Sequence, residues 1–393
     1  MIHQRCAAVL VGMAVTILLG CGNSGGSSPS GPSAPNVLTI TINPASAAIC
    51  KFTNIPCTQV TICQPSTSTC QTISDILVDT GSSGLRIFSS ALTLTLPSSQ
   101  IGECMYFGFG TEWGAVQTVD LIMGKEPAVS VPIQVVDPTF AGQYISAGQP
   151  ASNIRGVAAV DASPSQAGHN GILGVGVFPL DGGFYYDCVP LPCMAIAVSP
   201  SQQIQNPVGL LPVDNNGVIV ALPSVPTSGL PSLTGSLILG IGTASNNQPV
   251  GVTVLPTDSS GRIVTHFHPS PGISTQEAGI IDSGSDVLFF SDSSLSIPLC
   301  PGALSFLYCP SSPLNFSAVN TGSSGSPSSS VNFQIANPMP LLSSGNAAIS
   351  NIGGPAVFTG VFDWGLPFFF GRTVCVGLSG KTSVLGTGPF LAY

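Results

Sequence analysis

The chain has 393 residues, of which 6% are charged, a formal net charge of −9 and only 8 lysines plus arginines. So few cations leave no basic stripe to neutralise phosphates, which excludes a nucleic-acid-binding role. A hydrophobic share of 44% with 19 phenylalanines excludes a disordered chain despite 46 glycines and 35 prolines, and the length suffices for two lobes of ordinary size.

The N-terminus reads as a targeting segment. Arg5 gives a short positive start and Ala7 to Leu19 is an apolar run too short to span a bilayer comfortably. The following Leu18-Leu19-Gly20-Cys21 resembles the lipobox of bacterial lipoproteins, which implies cleavage after residue 20 and lipidation of Cys21. Residues 21–37, rich in Gly, Ser and Pro, then form a flexible tether of the kind a membrane-anchored domain needs. Gly22 in place of an aspartate implies, by the same resemblance, an exported lipoprotein of the outer membrane on its periplasmic or cell-surface face.

Beyond the tether, short Val/Ile/Leu/Thr runs alternate with Gly/Pro/Asn/Ser clusters, and helical periodicity is scarce. This predicts an all-β protein. Setting aside Cys6 and Cys21, the 12 cysteines leave an even number in an exported chain, so disulfides are expected. Close spacing pairs Cys50 with Cys57, Cys63 with Cys70, Cys188 with Cys193 and Cys300 with Cys309, leaving Cys104 and Cys375 to each other by exclusion. None of these spacings is that of a zinc ribbon, so neither a metal nor another cofactor is expected. His266-Phe267-His268 on a strand would put both imidazoles on one face, most simply at the surface.

An internal repeat carries the functional signal. Ile76-Leu77-Val78-Asp79-Thr80-Gly81-Ser82 has a counterpart in Gly279-Ile280-Ile281-Asp282-Ser283-Gly284-Ser285. Each is a strand-like apolar run ending in Asp, a small hydroxyl residue, Gly and Ser. Each is also followed, at nearly equal distance, by an apolar-apolar-Gly element: Ile172-Leu173-Gly174 after the first and Phe369-Phe370-Gly371 after the second.

Paired Asp-Thr/Ser-Gly motifs with such partners resemble the pepsin-like aspartic proteases. The resemblance covers most of the mature chain and implies a bilobal double β-barrel with a central cleft between lobes. An N-terminal lobe over 38–245 and a C-terminal lobe over 246–393 would each give one aspartate, Asp79 and Asp282. The residues "GSLILGIGT" (235–243) look like the strand closing the first lobe, and "YFGFGTEWG" (106–114) sits where the family has its flap hairpin. The combined pattern of DTGSSGLR, DNNG, GIGT, DSGS and GLPFFFGR is also similar to an uncharacterised family of bacterial lipoproteins, a domain of unknown function.

The residue types suit the implied chemistry. Two carboxylates held together share a proton, so one acts as base toward water while the other acts as acid toward the scissile carbonyl. Gly81 and Gly284 let the backbone approach the carboxylates. By resemblance, the hydroxyls of Thr80 and Ser283 bond across the lobe interface, and Ser82 and Ser285 hold the outer carboxylate oxygens.

Departures from the family pattern shape the rest of the expectation. Arg86 stands where an aromatic is usual. It either reaches the dyad and favours double ionisation, or binds a substrate carboxylate, or forms a structural ion pair. Asp286 faces either solvent or the cleft. Phe107 takes the flap tyrosine's place, Tyr106 is one residue off and would point to the other face, and Trp113 offers a ring N–H or serves as hairpin core. The sequence therefore predicts a monomeric aspartic endopeptidase acting on extended polypeptide. The alternative is a non-catalytic module of the same fold that binds peptide or glycan in its cleft.

Overall fold

The structure is a computed structural model and describes residues 34–43, 47–108, 110–142, 161–291 and 294–393. The leader (1–20), Cys21 and the tether up to residue 33 lie outside the described residues.

In chain order the strands are β1 (Val37–Ile42), β2 (Cys57–Cys63), β3 (Cys70–Asp79), β4 (Ser83–Phe88), β5 (Ile101–Tyr106), β6 (Thr111–Ile122), β7 (Val129–Val136) and β8 (Gly171–Val175). There follow β9 (Phe184–Asp187), β10 (Met194–Ile196), β11 (Gly217–Ala221), β12 (Leu233–Leu239), β13 (Val254–Pro256), β14 (Ile263–Ser270), β15 (Ile273–Ile281) and β16 (Leu288–Phe289). The last are β17 (Leu314–Thr321), β18 (Ser328–Ile335), β19 (Gly353–Gly354), β20 (Val361–Trp364), β21 (Thr373–Gly377), β22 (Thr382–Ser383), β23 (Gly386–Thr387) and β24 (Phe390–Ala392). The all-β expectation holds.

A 15-stranded sheet runs in the order β10-β9-β5-β6-β7-β4-β8-β3-β2-β1-β12-β11-β21-β24-β13, and an added pairing of β6 with β2 closes β2, β3, β8, β4, β7 and β6 into a barrel. Closure removes the edges that an open sheet would leave unpaired. A seven-stranded sheet, β18-β17-β14-β15-β20-β16-β19, contains the second motif. Strands β13, β21 and β24, from late in the chain, are hydrogen-bonded into the larger sheet beside β11 and β12.

The sequence repeat is a repeat of topology. β3 runs parallel to β8, and β4 after its turn pairs antiparallel with β8 and parallel with β7. Likewise β15 runs parallel to β20, and β16 pairs antiparallel with β20 and parallel with β19. In the first copy Asp79 is level with Gly174; in the second Ile281 is level with Trp364, which brings Asp282 level with Gly365. The element matching Ile172-Leu173-Gly174 is thus Asp363-Trp364-Gly365, and the expected Phe369-Phe370-Gly371 is corrected. Leu366–Phe369 is a short 3-10 turn whose side chains fill the core. An aspartate had replaced the first apolar residue of the true element, so the apolar pattern pointed downstream of it. Gly365 is required there: a Cβ would meet the Val287 carbonyl oxygen at 2.1 Å.

Residue alternation builds the core around these strands. In β14, Ile263, Thr265 and Phe267 are buried while His266 and His268 share the half-exposed face, and Phe267 packs edge-on to Phe290, Phe316 and Phe362. Ile76 to Asp79 are all buried because β3 is flanked by β2 and β8.

The four short-range disulfides form as expected: Cys50–Cys57, Cys63–Cys70, Cys188–Cys193 and Cys300–Cys309. The pairing of Cys104 with Cys375 does not. They lie on β5 and β21, which are not neighbours, and pack into separate apolar clusters as free thiols, Cys104 with Trp113 and Tyr186, Cys375 with Ile219 and Phe390. Exclusion failed because the two thiols are buried in different parts of the fold, out of reach of each other.

Candidate active site

Each motif strand delivers its aspartate into a tight turn whose backbone folds back on the carboxylate. Gly81 N–H donates to Asp79 Oδ1 at 2.7 Å and Gly284 N–H donates to Asp282 Oδ1 at 2.8 Å. Ser82 Oγ donates to Asp79 Oδ2, and Ser285 Oγ lies 3.1 Å from Asp282 Oδ2. The two carboxyls face each other, each lying against the other motif's glycine: a Cβ at Gly81 would meet the Asp282 carboxyl and one at Gly284 the Asp79 carboxyl.

The turns are locked together by a symmetric exchange. Thr80 Oγ1 donates to the Ile281 carbonyl at 2.9 Å and accepts from Ser283 N–H at 2.9 Å. Ser283 Oγ donates to the Val78 carbonyl at 2.7 Å and accepts from Thr80 N–H at 3.1 Å. All four groups are buried, so each bond also avoids the cost of an unpaired polar atom.

Asp363 breaks the symmetry. It occupies on β20 the place that Ile172 holds on β8, and its Oδ2 is 2.6 Å from Ser285 Oγ, which also faces Asp282. A hydroxyl has one proton, so if it bonds to both carboxyls, one of them must bring a proton of its own. Burial, and then the charges of Asp79 and Asp363, push Asp282 well above the usual carboxylate range, against the pull of the Gly284 N–H. Burial likewise raises Asp363 to about 8, opposed by the Ser285 hydrogen bond and reinforced by Asp79 and Asp286.

These groups line a cavity of about 530 Å³ beneath the β5–β6 hairpin, whose turn is closed by Phe107 N–H donating to the Gly110 carbonyl at 2.8 Å. Val357 and Phe358 form the facing wall. A larger cavity, about 870 Å³, opens beside His268 and Arg372, but it holds neither motif loop and no carboxylate.

Of the four flap and cleft residues expected from sequence, Phe107 lines the cavity and the other three do not. Tyr106 packs edge-on to Phe184 on the opposite face. Trp113 donates its ring N–H to the Phe140 carbonyl at 3.0 Å and packs on Tyr186, so it is hairpin core. Strand alternation accounts for both, since the residue that β6 turns inward is Glu112.

Arg86 forms the structural ion pair among its three expected roles. Fully buried, it bonds Glu103 at 3.0 Å, Asp181 at 2.7 Å and the Ser83 carbonyl at 3.0 Å. Burial works against its charge, but Glu103, Asp181 and Glu112 outweigh burial and raise its pKa. Asp286 lines the cleft, with burial raising it to about 6.

Residues 32–393 match the model of a family described as a protein of unknown function (DUF3443). A search of curated proteins finds no match. Among solved structures, the chain is similar to an aspartic proteinase from Irpex lacteus at 17% identity, covering 91% of this chain and 96% of that one with a TM-score of 0.46. The fold is pepsin-like, and the duplicated turn-and-parallel-strand topology is what makes it so.

Proposed function

The chain belongs to the DUF3443 family of proteins of unknown function, and we propose that it is an aspartic-type endopeptidase that hydrolyses peptide bonds with Asp79, Asp282 and an activated water. One observation carries this reading: two carboxyls set against each other's motif glycines, each held by the N–H and hydroxyl of matching turns.

Asp282, whose ionisation is opposed by burial and by the charge of Asp79, holds the shared proton. A water between the carboxyls loses a proton to Asp79 as its oxygen attacks the scissile carbonyl carbon. Asp282 gives its proton to the carbonyl oxygen, forming a neutral gem-diol. Collapse returns one diol proton to Asp282 and passes the proton on Asp79 to the departing nitrogen. Acid and amine leave, and the starting protonation is restored.

The leader and Leu-Leu-Gly-Cys sequence support an exported chain acylated at Cys21 and held at the outer membrane, with polypeptide as its partner. Phe107 in place of a flap hydroxyl favours one rival, a non-catalytic module that binds peptide or glycan in the same cleft.

A peptide with –CH(OH)– in place of the scissile carbonyl separates the two. For the enzyme it binds at least ~100-fold more tightly than the amide peptide, and Asp282→Asn removes the advantage. Equal binding of the two peptides overturns the catalytic reading.

A further inference from the structure

Beneath the hairpin the cavity ends at a carboxyl that no described residue hydrogen-bonds. Glu112 is wholly buried, lines the cavity, and has no hydrogen-bond partner at either Oε1 or Oε2. Among the described residues its one nearby cation is Arg86, whose Nε stands 3.8 Å from Oε2, beyond hydrogen-bond length. The Nη2 is committed to Glu103 and Asp181 while the Nε facing Glu112 makes no hydrogen bond, so three carboxyls surround a single positive charge.

Protonating Glu112 does not resolve this. A neutral carboxyl would still have a buried O–H without an acceptor, and its other oxygen without a donor. Asp161 adds to the excess: it lines the same cavity against Gly110, where a Cβ would lie 2.1 Å from its Oδ2.

The remaining lining groups offer no compensation. Asp79, Asp282, Asp286 and Asp363 are further carboxyls, and among the described residues no lysine or arginine lines the cavity. His169, also in the lining, is lowered by burial to about 4 and so is neutral near pH 7. The donors are not converged for a metal either, since among the described residues no three His, Cys, Asp or Glu side chains are grouped to hold an ion. Phe107 lines the approach, with the Arg86 guanidinium 5.6 Å from its ring centroid, and leaves its outer edge to pack on an aliphatic stem.

We propose that this corner of the cleft is a subsite for a lysine or arginine side chain of a bound peptide, its cationic head received by Glu112 and Asp161. The proposal rests on the endopeptidase reading and narrows its substrates to polypeptides with a basic residue near the scissile bond.

The test reads binding without turnover. In the Asp79→Asn chain, a single lysine is walked along an otherwise neutral extended peptide, and each peptide is paired with a norleucine counterpart. At one position lysine binds at least ~10-fold more tightly than norleucine. Glu112→Gln reduces that ratio to within ~2-fold, and Asp161→Asn, at a half-buried position, reduces it in part. Thermal melting of each variant confirms folding. A ratio near one at every position overturns the proposal, as does a ratio that survives both substitutions or an absence of binding by either peptide. Failure of the wild-type chain to cleave any polypeptide would instead refute the endopeptidase reading, with the lysine-to-norleucine ratio still deciding this one.

Discussion

Gly81 stands directly against the carboxyl of Asp282. A Cβ at residue 81 would lie 2.6 Å from Asp282 Cγ, and one at Gly284 would lie 2.8 Å from Asp79 Cγ. Each motif's glycine therefore makes room for the other motif's aspartate, a reciprocal fit that neither motif reveals alone. The opposing carboxyls are pinned by their own turns and cannot give way. Gly81→Ala or Gly284→Ala is expected to cost ~1–3 kcal/mol in urea unfolding and to lower hydrolysis by ~100-fold or more as the carboxyls are forced apart. An alanine variant of wild-type stability and activity would contradict the fit.

Asp363 gives the fold a pH dependence of definite sign. Its carboxyl is raised from 3.8 to about 8, chiefly by burial and also by the charges of Asp79 and Asp286, with Asp282 facing it across Ser285. Between those values the folded chain keeps a proton that the unfolded chain has released, so stability falls as pH rises through that window. Asp363→Asn keeps a hydrogen-bond donor toward Ser285 and has no proton to lose. The drop in unfolding free energy from pH ~4 to ~8 is expected to shrink in the variant. An unchanged slope would mean that Asp363 is ionised in the fold.

Arg86 ties together two buried carboxyls from separate segments, Glu103 on β5 and Asp181 in the loop before β9, and is the cation nearest a third, Glu112 on β6, among the described residues. Arg86→Leu leaves them without a counter-charge and is expected to cost ~3–5 kcal/mol in chemical denaturation. Arg86→Lys should recover only part of this, because a point ammonium cannot reproduce the planar fork. Full recovery by lysine would show that charge alone is needed there.

The cysteines give a prediction that a mass spectrometer reads. Burial raises both Cys104 and Cys375 to about 12, so neither is expected to react with iodoacetamide in the native chain. After unfolding without reductant, peptide mapping should find both alkylated and the four short-range pairs intact. A peptide joining Cys104 to Cys375 would contradict the fold.

Much of the site was legible because the chemistry is local. Asp-Thr-Gly-Ser-Ser and Asp-Ser-Gly-Ser fix their own turns, and the spacings of Cys63–Cys70 and Cys300–Cys309 suit hairpins and short loops. The missed residues depend on strand register or on charge partners far away in sequence. Asp363 carries no apolar signal because it replaces an apolar residue, and Phe369-Phe370-Gly371 is the nearest downstream stretch that keeps the apolar-apolar-Gly pattern. Glu112 could have been found by alternation from Gly110, but the neighbouring Trp113 drew notice by its size. Arg86 had three readings open until Glu103, Glu112 and Asp181 were seen around it, and residues 95 apart in sequence carry no local signal of that contact.

The most direct measurement is cleavage of an unfolded polypeptide by the mature chain from roughly pH 3 to 8, alongside Asp79→Asn and Asp282→Asn. Hydrolysis by the wild type that each substitution abolishes, with both variants still folded, is the expected result. Absence of hydrolysis across the whole range, or hydrolysis that survives either substitution, would contradict a catalytic pair.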